Sequence, residues 1–152
     1  MSKLVEPHDY ELERTGVTNI SLSMAQRAID ASIAEARRLN LKPITVAILD
    51  AGGHLVALAR ENASSNLRPK IAIAKASGAL ALGVSSRNIG EMALERPAFI
   101  SAASTLASEG LIPAAGGLLI EGGEGNLIGA IGVTGDTSDN DELCALAGMA
   151  AL

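Results

Sequence analysis

Aromatic side chains are nearly missing from this chain: it has no tryptophan, a single tyrosine, Tyr10, and a single phenylalanine, Phe99. The core must therefore be aliphatic, and no row of rings is available for nucleic-acid bases to stack on. A basic cluster is missing too. Lys and Arg number 12 against 17 Asp and Glu, the net charge is −5, and no nucleic-acid partner is expected. The lone cysteine, Cys144, excludes an internal disulfide. The two histidines, His8 and His54, do not form an HExxH-type pair, which disfavours a zinc hydrolase. No apolar run approaches the roughly 18 residues of a membrane span. The acidic N-terminal stretch, with Glu6, Asp9, Glu11 and Glu13, has no apolar signal segment. A cytoplasmic protein without a membrane partner is the expectation. Nucleotide signatures fail as well: GxxxxGK[ST] is absent, and Gly123 and Gly125 do not complete GxGxxG because Ile128 takes the last place. There is no GxSxG elbow.

What is present reads as one domain. The length of 152 residues, 48% of them hydrophobic, is enough for a core. Residues 1–20 read as a polar arm and 21–152 as a single domain. Ser23 and Gln26 form a capping-box pattern, and Leu22, Ala25, Ile29, Ile33 and Ala36 recur at helical spacing, predicting an amphipathic helix that ends near Asn40. Ile44 to Asp50, the Gly52-Gly53 turn and His54 to Arg60 read as a hairpin. A second helix opens at Pro69. From Ile71 to Ser85 its only charge is Lys75, so it is apolar nearly all round and is expected to be buried on both sides, in part by another copy of the chain. Ser86 is expected to cap a short helix ending before Pro97, and 99–108 reads equally as helix or irregular chain. The last forty residues read as strand, a turn at Gly123, Glu124 and Gly125, strand, and a helix capped by Ser138. Two hairpins among helices make an α+β fold with one sheet.

Several residues stand out chemically. Lys75 is a cation on an apolar helix and needs a carboxylate, a carbonyl or a ligand, with Asp136 as one available partner. Arg68, held before Pro69, presents a guanidinium that can fork onto a carboxylate. Gly116 and Gly117, with Gly129 and Gly132, leave bare backbone that admits either a flat ligand or a closely packed helix. Asp136, Asp139, Asp141 and Glu142 cluster at a helix start, but lack the glycine and glutamate of an EF-hand, so capping is expected and no metal site. His54 is expected in solvent at a hairpin end, and Cys144 as a small core residue.

Three segments in order, VAILDAGGHLVALAR (46–60), IAIAKASGAL (71–80) and PAAGGLLIEGGEGNLIGAIGVTGDTSDNDELCALAGMAAL (113–152), resemble the GlcG/HbpS-like family, also called the heme-degrading-domain family. The likeness covers about residues 20–152. It implies a profilin-like fold, a five-stranded antiparallel sheet flanked by helices, whose fifth strand would fall between Phe99 and Pro113. It also implies a homo-oligomer and heme as a possible cofactor. Heme iron takes an axial His, Cys, Met or Tyr, and residues 23–40 contain no histidine. Two functions follow. One is a small-molecule-binding protein for heme or another tetrapyrrole, with Lys75 and Arg68 holding propionates and Gly116 and Gly117 facing the ring. The other is an enzyme or auxiliary subunit acting on a small carboxylated or phenolic metabolite in a catabolic pathway. There the same cations would orient the substrate, and Asp136 or Glu142 would be the base.

Overall fold

The computed structural model describes residues 19–152; the expected polar arm otherwise lies outside the described residues, as do His8 and Tyr10. Among these residues, five helices and four strands follow in the order α1 (Leu22–Arg38), β1 (Thr45–Asp50), β2 (Leu55–Arg60), α2 (Arg68–Leu82), α3 (Ser86–Glu95), α4 (Pro97–Ser104), β3 (Gly117–Glu121), β4 (Leu127–Thr134) and α5 (Ser138–Ala150). The strands form one antiparallel sheet, ordered β2-β1-β4-β3.

Among the described residues the sheet has four strands rather than the five that the family resemblance implied. The chain between Phe99 and Pro113 supplies no strand. Pro97 opens α4 in its first turn, where a missing N–H does no harm, and the alanine-rich Pro97–Ser104 segment continues as helix. The chain then turns through Gly110, at φ +78°. The helix caps are also displaced from expectation. Ser21, in an extended conformation, accepts from the Met24 N–H at 3.2 Å, which leaves Ser23 inside the first turn. Likewise Ser85 caps α3 and Thr137 caps α5, one residue before the expected Ser86 and Ser138. Ser86 is instead buried, and its Oγ accepts from the Gly117 N–H at 2.7 Å, tying α3 to β3.

Alternation along the strands sends side chains to two different layers. Val46, Ile48, Ile131 and Val133 join α1 and α5 residues in the main core, where Ala25, Ala28 and Ala36 pack with Cys144 and Ala145. The other face carries Leu49 and Ala130, covered by Ala76, Ile73 and Leu80 of α2. Two residues along β4 from Ala130 on that face, Gly132 is paired across the strands with Gly117 of β3. A Cβ on Gly132 would collide with the Ala72 carbonyl, and one on Gly117 with the Lys75 carbonyl. The strand glycines therefore admit the backbone of α2 itself. Part of the outer side of α2 is covered within the same chain, since Gly78 faces Leu111 and Ile89 in a third cluster built by α3, α4 and the segment before β3.

Gly132→Ala is expected to push α2 off the sheet and to destabilise the fold by about 1–3 kcal/mol, as over-packing does. Urea unfolding checks this; an unchanged midpoint would show that α2 does not need the bare backbone.

Candidate functional site

Lys75 lies on α2 and is almost wholly buried, at 2% exposed. Its ammonium donates to Asp141 Oδ2 at 3.0 Å and to the Val133 carbonyl at 2.9 Å. Asp141, in the first turn of α5, is 1% exposed, and its other oxygen accepts from the Asp136 N–H at 2.9 Å. The partner is thus Asp141 and not Asp136. Burial pushes the Lys75 amine below its ordinary value and the Asp141 carboxyl above its own, and the attraction between them offsets part of each shift. Gly116, at φ +123°, passes beside the pair, and a Cβ there would lie 2.9 Å from the Lys75 nitrogen. Lys75, Gly116 and Gly117 do converge, but on Asp141 and on helix backbone, in a space the protein fills.

Arg68 opens α2 half-buried and donates to Thr134 Oγ1 at 2.7 Å. Asp136 accepts three hydrogen bonds, from Asn140 Nδ2 at 2.7 Å and from the backbone N–H groups of Thr137 at 2.8 Å and Lys42 at 2.9 Å. Led by the Asn140 amide, these hold its carboxyl at about 2, well below the usual 3.8, so it is a weak proton acceptor at neutral pH. Glu142 accepts from Arg87 Nε at 2.9 Å, and the same guanidinium donates to Asp139. The acidic cluster is thus occupied by caps and ion pairs. Burial, with nearby carboxylates, pushes the Cys144 thiol up to about 11.

A cleft lies elsewhere. It encloses about 410 Å³ between the β1–β2 turn, α2 and the loop after α4. Leu49, Leu55 and Ile73 give it aliphatic walls, Gly52 and Gly53 bare backbone, and Ser108 and Glu109 a polar rim beside His54. Arg68, Lys75, Gly116 and Gly117 do not line it. Arg68 meets Thr134, which pairs with Thr45 at the start of β1, whereas the cleft sits at the far end of that strand.

The turn beside the cleft is held by a dense set of bonds. Asp50 Oδ1 accepts from the N–H groups of Gly52 and His54, both at 2.9 Å, and the Gly53 N–H bonds the Asp50 carbonyl at 3.0 Å. Asn19 Oδ1 accepts from the Ala51 N–H at 3.0 Å. His54 is exposed, as its hairpin position implied, but its Nδ1 stands 3.1 and 3.2 Å from the two Asp50 oxygens. The pairing was not recognised from sequence. Its signal is an aspartate four residues before a histidine across a Gly-Gly turn, an Asx-turn pattern.

The family described as "Haem degrading protein HbpS-like" matches residues 20–150. Among solved structures, the chain is similar to HbpS, with 25% identity over 92% of this chain and 94% of that one and a TM-score of 0.79. It is similar to PduOC, solved as a complex with heme, at 23% identity over 89% of this chain and 96% of that one, TM-score 0.78. It is also similar to the Klebsiella pneumoniae protein ORFY, at 24% identity over 99% and 95% of the two chains, TM-score 0.79. No curated protein matches the sequence.

Two outcomes follow for the polar residues. Asp141→Leu alone strands a buried ammonium and is expected to cost about 3–5 kcal/mol, whereas the same change combined with Lys75→Met recovers part of that loss. A double-mutant cycle by urea unfolding measures the coupling. For Asp136 the folded carboxyl titrates lower than the unfolded one. Its contribution is therefore complete above the ordinary 3.8 and is lost as pH falls toward about 2. The stability difference between the wild type and Asp136→Asn should shrink across that window, and a difference that stays constant there rejects the assignment.

Proposed function

Because the chain belongs to the HbpS-like family of heme-degrading proteins, we propose that it binds heme or a closely related tetrapyrrole, and that the cleft beside the β1–β2 turn is the seat. The observation that carries the proposal is the coincidence in one cleft of aliphatic walls, bare Gly52-Gly53 backbone and a histidine fixed by a carboxylate. The volume is within the range of about 300–1,000 Å³ usual for small-molecule sites. Leu49, Leu55 and Ile73 suit a planar apolar macrocycle, and the open polar rim suits propionates that remain in water.

Lys75 and Arg68 serve this function indirectly. Lys75 is committed to Asp141 and Arg68 to Thr134, and both fix α2, the helix that brings Ile73 to the cleft. We also propose that copies of the chain associate. Support comes from α3 and the turn that follows α4, where Leu94 is 86% and Leu106 87% exposed. No helix among the described residues is long and apolar enough to cross a membrane.

Titration of the purified protein with hemin is expected to give a saturable Soret shift with one heme per chain, and light scattering of the same sample a mass above 15.4 kDa. A spectrum that is the sum of protein and free hemin at every ratio rejects heme as the ligand.

A further inference from the structure

We infer that His54 is the axial donor to the iron of a tetrapyrrole in this cleft and that Asp50 is the residue that positions it. The inference rests on the proposed function and names the residues through which it works.

Among the described residues the donor types allow little else. Among the described residues, no group of three or more His, Cys, Asp and Glu side chains is arranged to hold a metal ion. A bare metal therefore finds no cage among those residues. A macrocycle that brings its own four equatorial nitrogens needs only an axial ligand, normally His, Cys, Met or Tyr. Among the described residues, His54 is the one cleft-lining residue of those types. Cys144 is enclosed in the core on the other face of the sheet, and Met24, Met92 and Met149 do not line the cleft.

The local geometry prepares the ring for that task. With Nδ1 against the Asp50 carboxylate, the Nδ1–H tautomer is favoured and Nε2 carries the free lone pair. Among the described residues Nε2 has no hydrogen-bond partner. A histidine that ligates a metal usually donates its other ring N–H to such an acceptor, which fixes its orientation and raises its basicity. The turn is shaped around the ring as well. A Cβ on Gly52 would stand 2.8 Å from His54 Cε1 and 3.0 Å from Nδ1, so the imidazole lies directly against the bare backbone there.

Three variants separate the roles, each titrated with hemin and with iron-free protoporphyrin IX. In the wild type, hemin is expected to give the absorption and electron paramagnetic resonance signature of imidazole-ligated iron. His54→Ala should keep its affinity for protoporphyrin IX, lose that signature, and regain it with added imidazole. Asp50→Asn preserves an oxygen for the Gly52 and His54 N–H groups, so the turn survives. It should weaken hemin about 10- to 100-fold and raise the reduction potential of the bound iron, which a purely structural role would not do. Gly52→Ala displaces the ring end rather than backbone and should alter the iron spectrum without lowering the unfolding midpoint. If His54→Ala binds hemin with an unchanged spectrum, the axial assignment falls while heme binding stands. If the wild type binds neither porphyrin, the proposed function falls and the axial assignment with it.

Discussion

The ion pair between Lys75 and Asp141 is the constraint on which the arrangement depends. α2 covers one face of the sheet and α5 the other, and at the rim where β3 begins this contact joins them. Neither charge can leave without stranding its partner away from water, so the rotation of α2 about its axis and its height along the sheet are fixed together. Glycines complement that constraint: Gly117 and Gly132 let the α2 backbone approach closely, and Gly116 leaves room beside the Lys75 ammonium. Ile73, two residues before Lys75 on the same helix, then stands where the cleft needs a wall. A polar contact in the core thus sets the geometry of an apolar surface at the opposite end of the strand.

The elements most readable from sequence were those with local causes. Apolar spacing from Leu22 to Ala36, the Gly52-Gly53 turn and the glycine-bounded terminal hairpin each specify structure within a dozen residues, and each is present. Caps were less readable, since runs such as Ser21-Leu22-Ser23 and Ser85-Ser86 offer several hydroxyls, and only the extended backbone angle decides which one caps. The fifth strand was an inference from kinship rather than from residues, and Pro97 with the alanines that follow favours helix there.

Residues of the site were legible in proportion to how near their partners lie in sequence. Lys75 announced that it needed a counter-charge, but Asp141 is 66 residues away and shares its neighbourhood with three other acids, so only the fold selects it. The apolar outer face of α2 pointed to a second subunit. In the folded chain, Leu111 and Ile89 cover part of that face, and nothing in the local pattern distinguishes cover by the same chain from cover by a neighbour. His54 and Asp50 were the reverse case: four residues apart, within reach of a turn rule, and overlooked because a histidine at a hairpin end has a simple explanation as a solvated side chain.

Cys144 gives the chain a built-in clock for its own opening. The sulfur is wholly enclosed among α1, α5 and the sheet, and its raised pKa leaves almost no thiolate at neutral pH. Alkylating reagents attack the thiolate, so they meet this one only in molecules whose core has come apart. Because the sequence carries no other cysteine, the rate at which label accumulates on the native protein is a direct count of those excursions, free of background from any second thiol.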